Sequence, residues 1–141
     1  MYDLNRFIKA QENDYEVALS EIKSGHKRSH WIWYIFPQIK GLGRSTTAVY
    51  YSIINRGEAE SSMANDLLRE HLIEISQALL ETESDNAKQV MGVPDDKKLK
   101  SSMTLFATVA AEYEVFQKVL DKFFDGKKDN RTLKILGEMR K

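Results

Sequence analysis

An all-α fold, a single-domain orthogonal bundle of about six to eight helices over residues 1–141, is predicted by three features of the sequence. Apolar residues recur at intervals of three and four along most of the chain, the spacing of one buried stripe on a helix. Glycine, proline and capping residues punctuate those stripes. No segment alternates apolar and polar residues between hairpin turns, so a lone strand has nothing to pair with.

Leu4, Phe7, Ile8, Gln11, Tyr15, Ala18, Leu19 and Ile22 give the first stripe, with Asp3 as the expected N-cap and Gly25 as the stop. Ser29 to Phe36 reads as a short helix capped by Ser29 and halted by Pro37, which disfavours helical geometry at the residue before it. The stretch Gln38 to Arg44, with Gly41 and Gly43, reads as a loop. Ser45 then caps a helix expected over 46–55 with Val49, Tyr50, Ile53 and Ile54 on one face, closed by Gly57. After a small-residue turn or two over 58–65, Asp66 is the expected cap for the stripe Leu67, Leu68, His71, Leu72, Ile75, Ala78 and Leu79. A short segment 86–91 ends at Gly92, and Pro94-Asp95 opens the stripe Leu99, Met103, Phe106, Val109 and Ala110. Tyr113, Phe116, Val119, Leu120 and Phe123 continue helical character to Phe124. Beyond the polar turn 125–129, a final helix over 131–139 turns Leu133, Leu136 and Met139 inward.

Composition narrows the function. The chain has no cysteine, which excludes a thiol nucleophile, a Cys-based zinc site and iron–sulfur ligation, and suits a cytoplasmic protein. With 21 basic and 21 acidic residues the formal charge is zero, and this balance weighs against nucleic acid as a partner. The longest apolar run, Trp31 to Phe36, falls far short of the ~20 residues that span a bilayer, so no membrane association is expected.

Two constellations carry the chemistry. Lys27, Arg28, Ser29, His30 and Trp31 set two cations, a hydroxyl and an imidazole before an apolar segment; at a helix N-terminus, free backbone N–H groups would join them in attracting an anion. The plainer reading is a cap with solvated charges. In the second, Asp95, Lys98, Ser102 and, slightly rotated, Ser101 share a helix face, able to hold a polar ligand or to pair with one another. His30, Asp95 and Ser102 together are the residue types of a base, its orienter and a nucleophile, although no G-x-S-x-G elbow accompanies them. The histidines His26, His30 and His71 form no H-E-x-x-H pattern and Gly41-Leu42-Gly43 is too short for a dinucleotide fingerprint, so neither metal nor cofactor is expected. The aromatics Trp31, Trp33, Tyr34 and Phe36 could stack nucleobases beside Lys27, Arg28 and Arg44, but core packing explains them better. The basic residues Lys127, Lys128, Arg131, Lys134, Arg140 and Lys141 read as a solvated face.

These residues carry a resemblance. S-H-W-x-W-x-x-F-P-Q over 29–38 and K-L-x-S-S-M-T-L-F over 98–106, together with Asp3-Leu4-Asn5-Arg6-Phe7, Gly41-Leu42-Gly43, Pro94-Asp95 and Asp129 with Thr132-Leu133, are similar to domain-of-unknown-function family 1810. That family is sometimes labelled calpastatin, yet calpain inhibitors are long, disordered and repetitive, and this chain is none of these. The resemblance implies a compact helical domain and no established activity. It also picks out His30, Gln38, Asp95, Lys98, Ser101 and Ser102, polar residues beside apolar stretches, which either satisfy one another internally or line a cleft.

The expectation is therefore a polar cleft formed by the two motif segments that binds a small anionic or nucleotide-like ligand. Lys27, Arg28 and Lys98 would hold negative charge, Asp95 would orient His30 or Lys98, and Trp31 or Trp33 would supply a stacking wall, with Ser29, Gln38, Ser101 and Ser102 also among the ligand-binding residues and His30 the acid–base group of any reaction. The alternative is a non-enzymatic interaction module or homodimer whose polar motif residues are internal struts; either a monomer or a homodimer fits the sequence.

Overall fold

The computed structural model describes residues 2–139, the side chain of Met139 excepted. The inward side chain expected for Met139 and the charges of Arg140 and Lys141 lie outside the described residues.

Among the described residues the chain forms nine helices: α1 (Asn5–Lys23), α2 (Ile32–Ile35), α3 (Thr46–Tyr50), α4 (Arg56–Ala64), α5 (Asp66–Glu81), α6 (Ala87–Met91), α7 (Asp95–Val109), α8 (Val115–Phe124) and α9 (Asn130–Met139). Six of them have nine residues or more; the other three are single turns of four or five, which carries the number past the expected six to eight.

The stripes are buried as their spacing dictates, except at Leu67 on α5, which is exposed. Phe7, Gln11, Tyr15, Ala18, Leu19 and Ile22 are buried on α1, Leu68, Leu72, Ile75, Ala78 and Leu79 on α5, and Phe116, Val119, Leu120 and Phe123 on α8. They join one contiguous apolar cluster with Trp31, Phe36, Leu99, Met103, Phe106 and Leu136. The principal packings are α1 on α5, α5 on α8 and α7 on α8, and α2 seats against α1 and α7.

Several caps follow the sequence reading: Ser45 accepts from Ala48 N at 3.1 Å, and Gly25, with φ 82°, closes α1. Other expectations fail. Leu4, not Asp3, precedes α1, which has no side-chain cap, and Asp3 Oδ1 accepts from Asn5 N at 2.9 Å instead. Asn65, not Asp66, caps α5 by accepting from Leu68 N. The helix expected over 46–55 stops at Tyr50, because residues 52–54 leave helical geometry to form an isolated parallel bridge with residues 38–40: Ile53 N donates to Gln38 O and Lys40 N to Ile53 O, each at 2.8 Å. Ile53 is consequently buried while Val49, Tyr50 and Ile54 are exposed, so the four do not share a face. Gly57, expected to end that helix, lies inside α4, which Asn55 caps.

Candidate functional site

The turn after α1 settles what the first constellation does. Glu21, in the last turn of α1 and only 7% exposed, faces back into residues 28–31. Its Oε1 accepts from Arg28 N at 2.8 Å, Ser29 N at 3.0 Å and Trp31 Nε1 at 2.9 Å; its Oε2 accepts from Ser29 Oγ at 2.6 Å. Burial alone would raise this carboxyl, but the four hydrogen bonds overcome it and hold the pKa down at about 2. The anion anticipated near Lys27 to Trp31 is thus supplied by the chain itself. Ser29 is spent on Glu21 and does not cap α2, which begins at Ile32 without a side-chain cap. This corrects the reading of Ser29, and with it of the adjacent backbone amides, as free ligand donors.

The two motif segments do converge. Lys27 Nζ, on a side chain 5% exposed, lies 2.7 Å from Asp95 Oδ2, donates to Ser29 O at 2.5 Å and sits 4.9 Å from the Trp31 ring centroid. Lys27 N donates to Val90 O at 2.7 Å, which ties the segment to α6. The other Asp95 oxygen lies 3.6 Å from Lys98 Nζ, and Lys98 is stacked 5.0 Å above the Trp33 ring. Asp95 is thus shared between a buried lysine, committed to it, and a lysine on the margin of open space.

That open space is a cleft of about 340 Å³ between the loop 38–43, the first turns of α7 and the start of α9. Gln38, Leu42, Gly43, Lys97, Lys98, Ser101, Asp129 and Arg131 line it. Gly43 is required for its shape, since a Cβ there would meet the Ala48 Cβ at 2.6 Å. Asp129 is not a free charge: its Oδ2 accepts from Thr132 N at 3.1 Å, Thr132 Oγ1 at 2.5 Å and Ser101 Oγ at 3.2 Å, holding the first turn of α9. Arg131 is exposed and donates from Nη2 to Gly41 O at 3.3 Å. Lys97 is exposed as well.

Of the sequence-predicted residues, Gln38, Lys98 and Ser101 line this cleft, with Asp95 behind Lys98; Lys27, Ser29 and Trp31 are built into the wall behind; and Arg28 and His30 are exposed. Ser102 is placed otherwise. It is 0% exposed and its buried hydroxyl has no hydrogen-bond partner, while both Asp95 oxygens face lysines. Among the described residues, then, neither the bond from a base to the Ser102 hydroxyl nor one from Asp95 to His30 is formed, and a triad of His30, Asp95 and Ser102 lacks its connections. Replacing a buried unpaired hydroxyl by a methyl group removes a desolvation cost, so Ser102→Ala is expected to hold or raise the melting temperature by the equivalent of about 0–1 kcal/mol. A fall of several degrees in a thermal melt would mean that Ser102 is paired.

Lys97, Arg131 and Glu21 are the residues that sequence reasoning missed. Asp129 had a signal in the resemblance, but Glu21 sits on an α1 stripe, where a carboxylate reads as solvated, and the register of Lys97 and Arg131 does not show that α7 and α9 meet. Among the described residues no group of three or more His, Cys, Asp or Glu side chains could hold a metal ion.

The model of the family described as Protein of unknown function (DUF1810) matches residues 1–136. The chain is also similar to a solved structure, the conserved hypothetical protein Rv1873 from Mycobacterium tuberculosis, at 39% identity and a TM-score of 0.94, with 96% of this chain and 97% of that chain covered. No curated protein matches it.

Proposed function

This chain belongs to the DUF1810 family, and from that premise we propose that it is a cytoplasmic binding domain whose cleft between the 38–43 loop, α7 and α9 takes a small anionic or nucleotide-like ligand. One observation carries the reading: three cations, Lys97, Lys98 and Arg131, line the cleft against a single carboxylate, Asp129, which is already committed to the first turn of α9. A volume of about 340 Å³ suits a phosphate-bearing small molecule, and concave sites with a few convergent polar groups are where such ligands bind. Arg131 offers a planar fork and the lysines point charges; Lys98 is prepositioned by Asp95 and the Trp33 ring. Gln38 supplies a neutral hydrogen bond at the wall, while the Ser101 hydroxyl stays with Asp129. No helix among the described residues is long and apolar enough to cross a membrane.

A second reading, an interaction module or homodimer, is favoured by the exposed Val49, Tyr50 and Ile54, which gather on one surface hollow beside Arg6. One experiment separates the two. In thermal melts with pyrophosphate, AMP and ADP, a ligand at 100 times its Kd stabilises by ~2.7 kcal/mol, about 8 °C for a domain of this size. The cleft reading predicts such a shift with a phosphate compound and its loss in Lys98→Ala and Arg131→Ala. A melting temperature that ignores all three compounds but climbs with protein concentration would support the module instead.

A further inference from the structure

The cleft in front of Lys98 specifies more than a negative charge. Three cations line it, yet most of its exposed wall is carbon: Leu42 and Gly43 from the 38–43 loop, Pro94 at the entry to α7, and the aliphatic stems of the lysines. Leu42 is half-buried and Pro94 is exposed. A bare phosphate or pyrophosphate would satisfy the cations and leave this apolar wall in water. A ligand that also covers the wall is held more tightly, because it removes carbon from water. The cleft therefore fits an anion that carries an apolar body.

Gln38 narrows what that body is. It is half-buried at the same wall, and its backbone carbonyl accepts from Ile53 N at 2.8 Å, while its side-chain amide has no hydrogen-bond partner among the described residues. A hydrocarbon chain laid over it would take the amide out of water unpaired, which is costly. A nucleobase avoids that cost. Its edge sets a donor beside an acceptor, the complement of a carboxamide, so glutamine can pair with it through two hydrogen bonds. Its flat face is of a shape that Leu42 and Pro94 can cover. At about 340 Å³ the cleft is at the small end of ligand sites, which suits a base, a sugar and one phosphate rather than a dinucleotide.

On the premise that the cleft binds an anion, we propose that its ligand is a nucleoside monophosphate, with the phosphate on Lys97, Lys98 and Arg131, the face of the base on Leu42 and Pro94, and the edge of the base on the Gln38 amide. Isothermal titration of the full chain with AMP, ribose 5-phosphate and pyrophosphate tests it. Expected is AMP binding about tenfold tighter than ribose 5-phosphate, which keeps the sugar and phosphate and lacks the base. That ratio should fall to about two in Gln38→Leu, which keeps the bulk of the side chain and removes the amide. Should Gln38→Leu fail to fold, Leu42→Ser alters a half-buried loop residue and is expected to lower the ratio about threefold. Ribose 5-phosphate and pyrophosphate binding as tightly as AMP would overturn this inference and leave the anion-binding cleft standing, as would a ratio that neither variant changes. No saturable binding of any of the three compounds would overturn both.

Discussion

Glu21→Ala is expected to destabilise the protein by about 3–5 kcal/mol, since it strands the buried Trp31 Nε1 and the Ser29 hydroxyl and amide at once, and each hydrogen bond to a charged acceptor contributes about 1.5–3 kcal/mol. The same carboxylate makes stability depend on acidity. Its pKa is about 2 in the folded chain against an ordinary 4.5, so between those values the unfolded chain binds more protons and folding weakens as the pH falls. The contribution is complete above pH 4.5 and is lost on acidification towards pH 2; at 1.36 kcal/mol per unit it amounts to about 3 kcal/mol. Urea titrations across this range should show a steep loss in the wild-type chain and a flatter profile in Glu21→Gln. Equal slopes would mean that Glu21 is not the carboxylate that residues 28–31 fold around.

The second large effect is expected at the far end of α1. Arg6 uses its whole guanidinium: Nε donates to Tyr50 O at 2.9 Å, Nη1 to Asp3 O at 2.8 Å and Glu58 Oε2 at 3.2 Å, and Nη2 to Ser52 O at 2.9 Å and Glu58 Oε1 at 2.7 Å. Glu58 also accepts from Ile54 N at 3.0 Å and its side chain is only 3% exposed. One planar fork thus clamps the start of α1 to the 50–54 turn and to α4. Glu58→Ala leaves the cation without its partner, and breaking one side of a buried pair costs about 3–5 kcal/mol. Arg6→Lys should also be strongly destabilising, because an ammonium group cannot reach three carbonyls and a bidentate carboxylate together. Chemical denaturation of the two single variants and of the double variant checks it. The double variant should lose less than the sum of the singles, by at least 1 kcal/mol if the two groups act as a unit. Additive losses would show that they act separately.

These two clamps mark where sequence reading stops. Stripes such as Leu68, Leu72, Ile75 and Leu79 are legible because burial of a helix face imposes its own period, and Ser45 is legible because a cap satisfies amides within three residues. Ser29 looked like a cap by the same rule, yet Glu21, eight residues upstream, outcompeted it with a charge. The 46–55 segment failed for a related reason: Ile53 pairs with Ile39 across fourteen residues, a contact no local period announces. At the site, the motif segments were legible as polar residues beside apolar ones, and Lys27 does meet Asp95. Their division of labour was not. Which of these side chains are spent inside and which face the cleft depends on how α7, α9 and the 38–43 loop pack, and hence on tertiary structure alone.

The wall built by Glu21, Lys27 and Asp95 is held by its own hydrogen bonds and ion pairs, and the proposed anion-binding surface is the cleft in front of it. Amide chemical-shift mapping of the nitrogen-15-labelled chain during a pyrophosphate titration tests this most directly. Saturable shifts are predicted at Gln38, Gly43, Lys98, Ser101 and Arg131, with Arg28 and Ser29 unmoved because Glu21 holds their amides. Shifts centred on Arg28 and Ser29 with the cleft silent would contradict it.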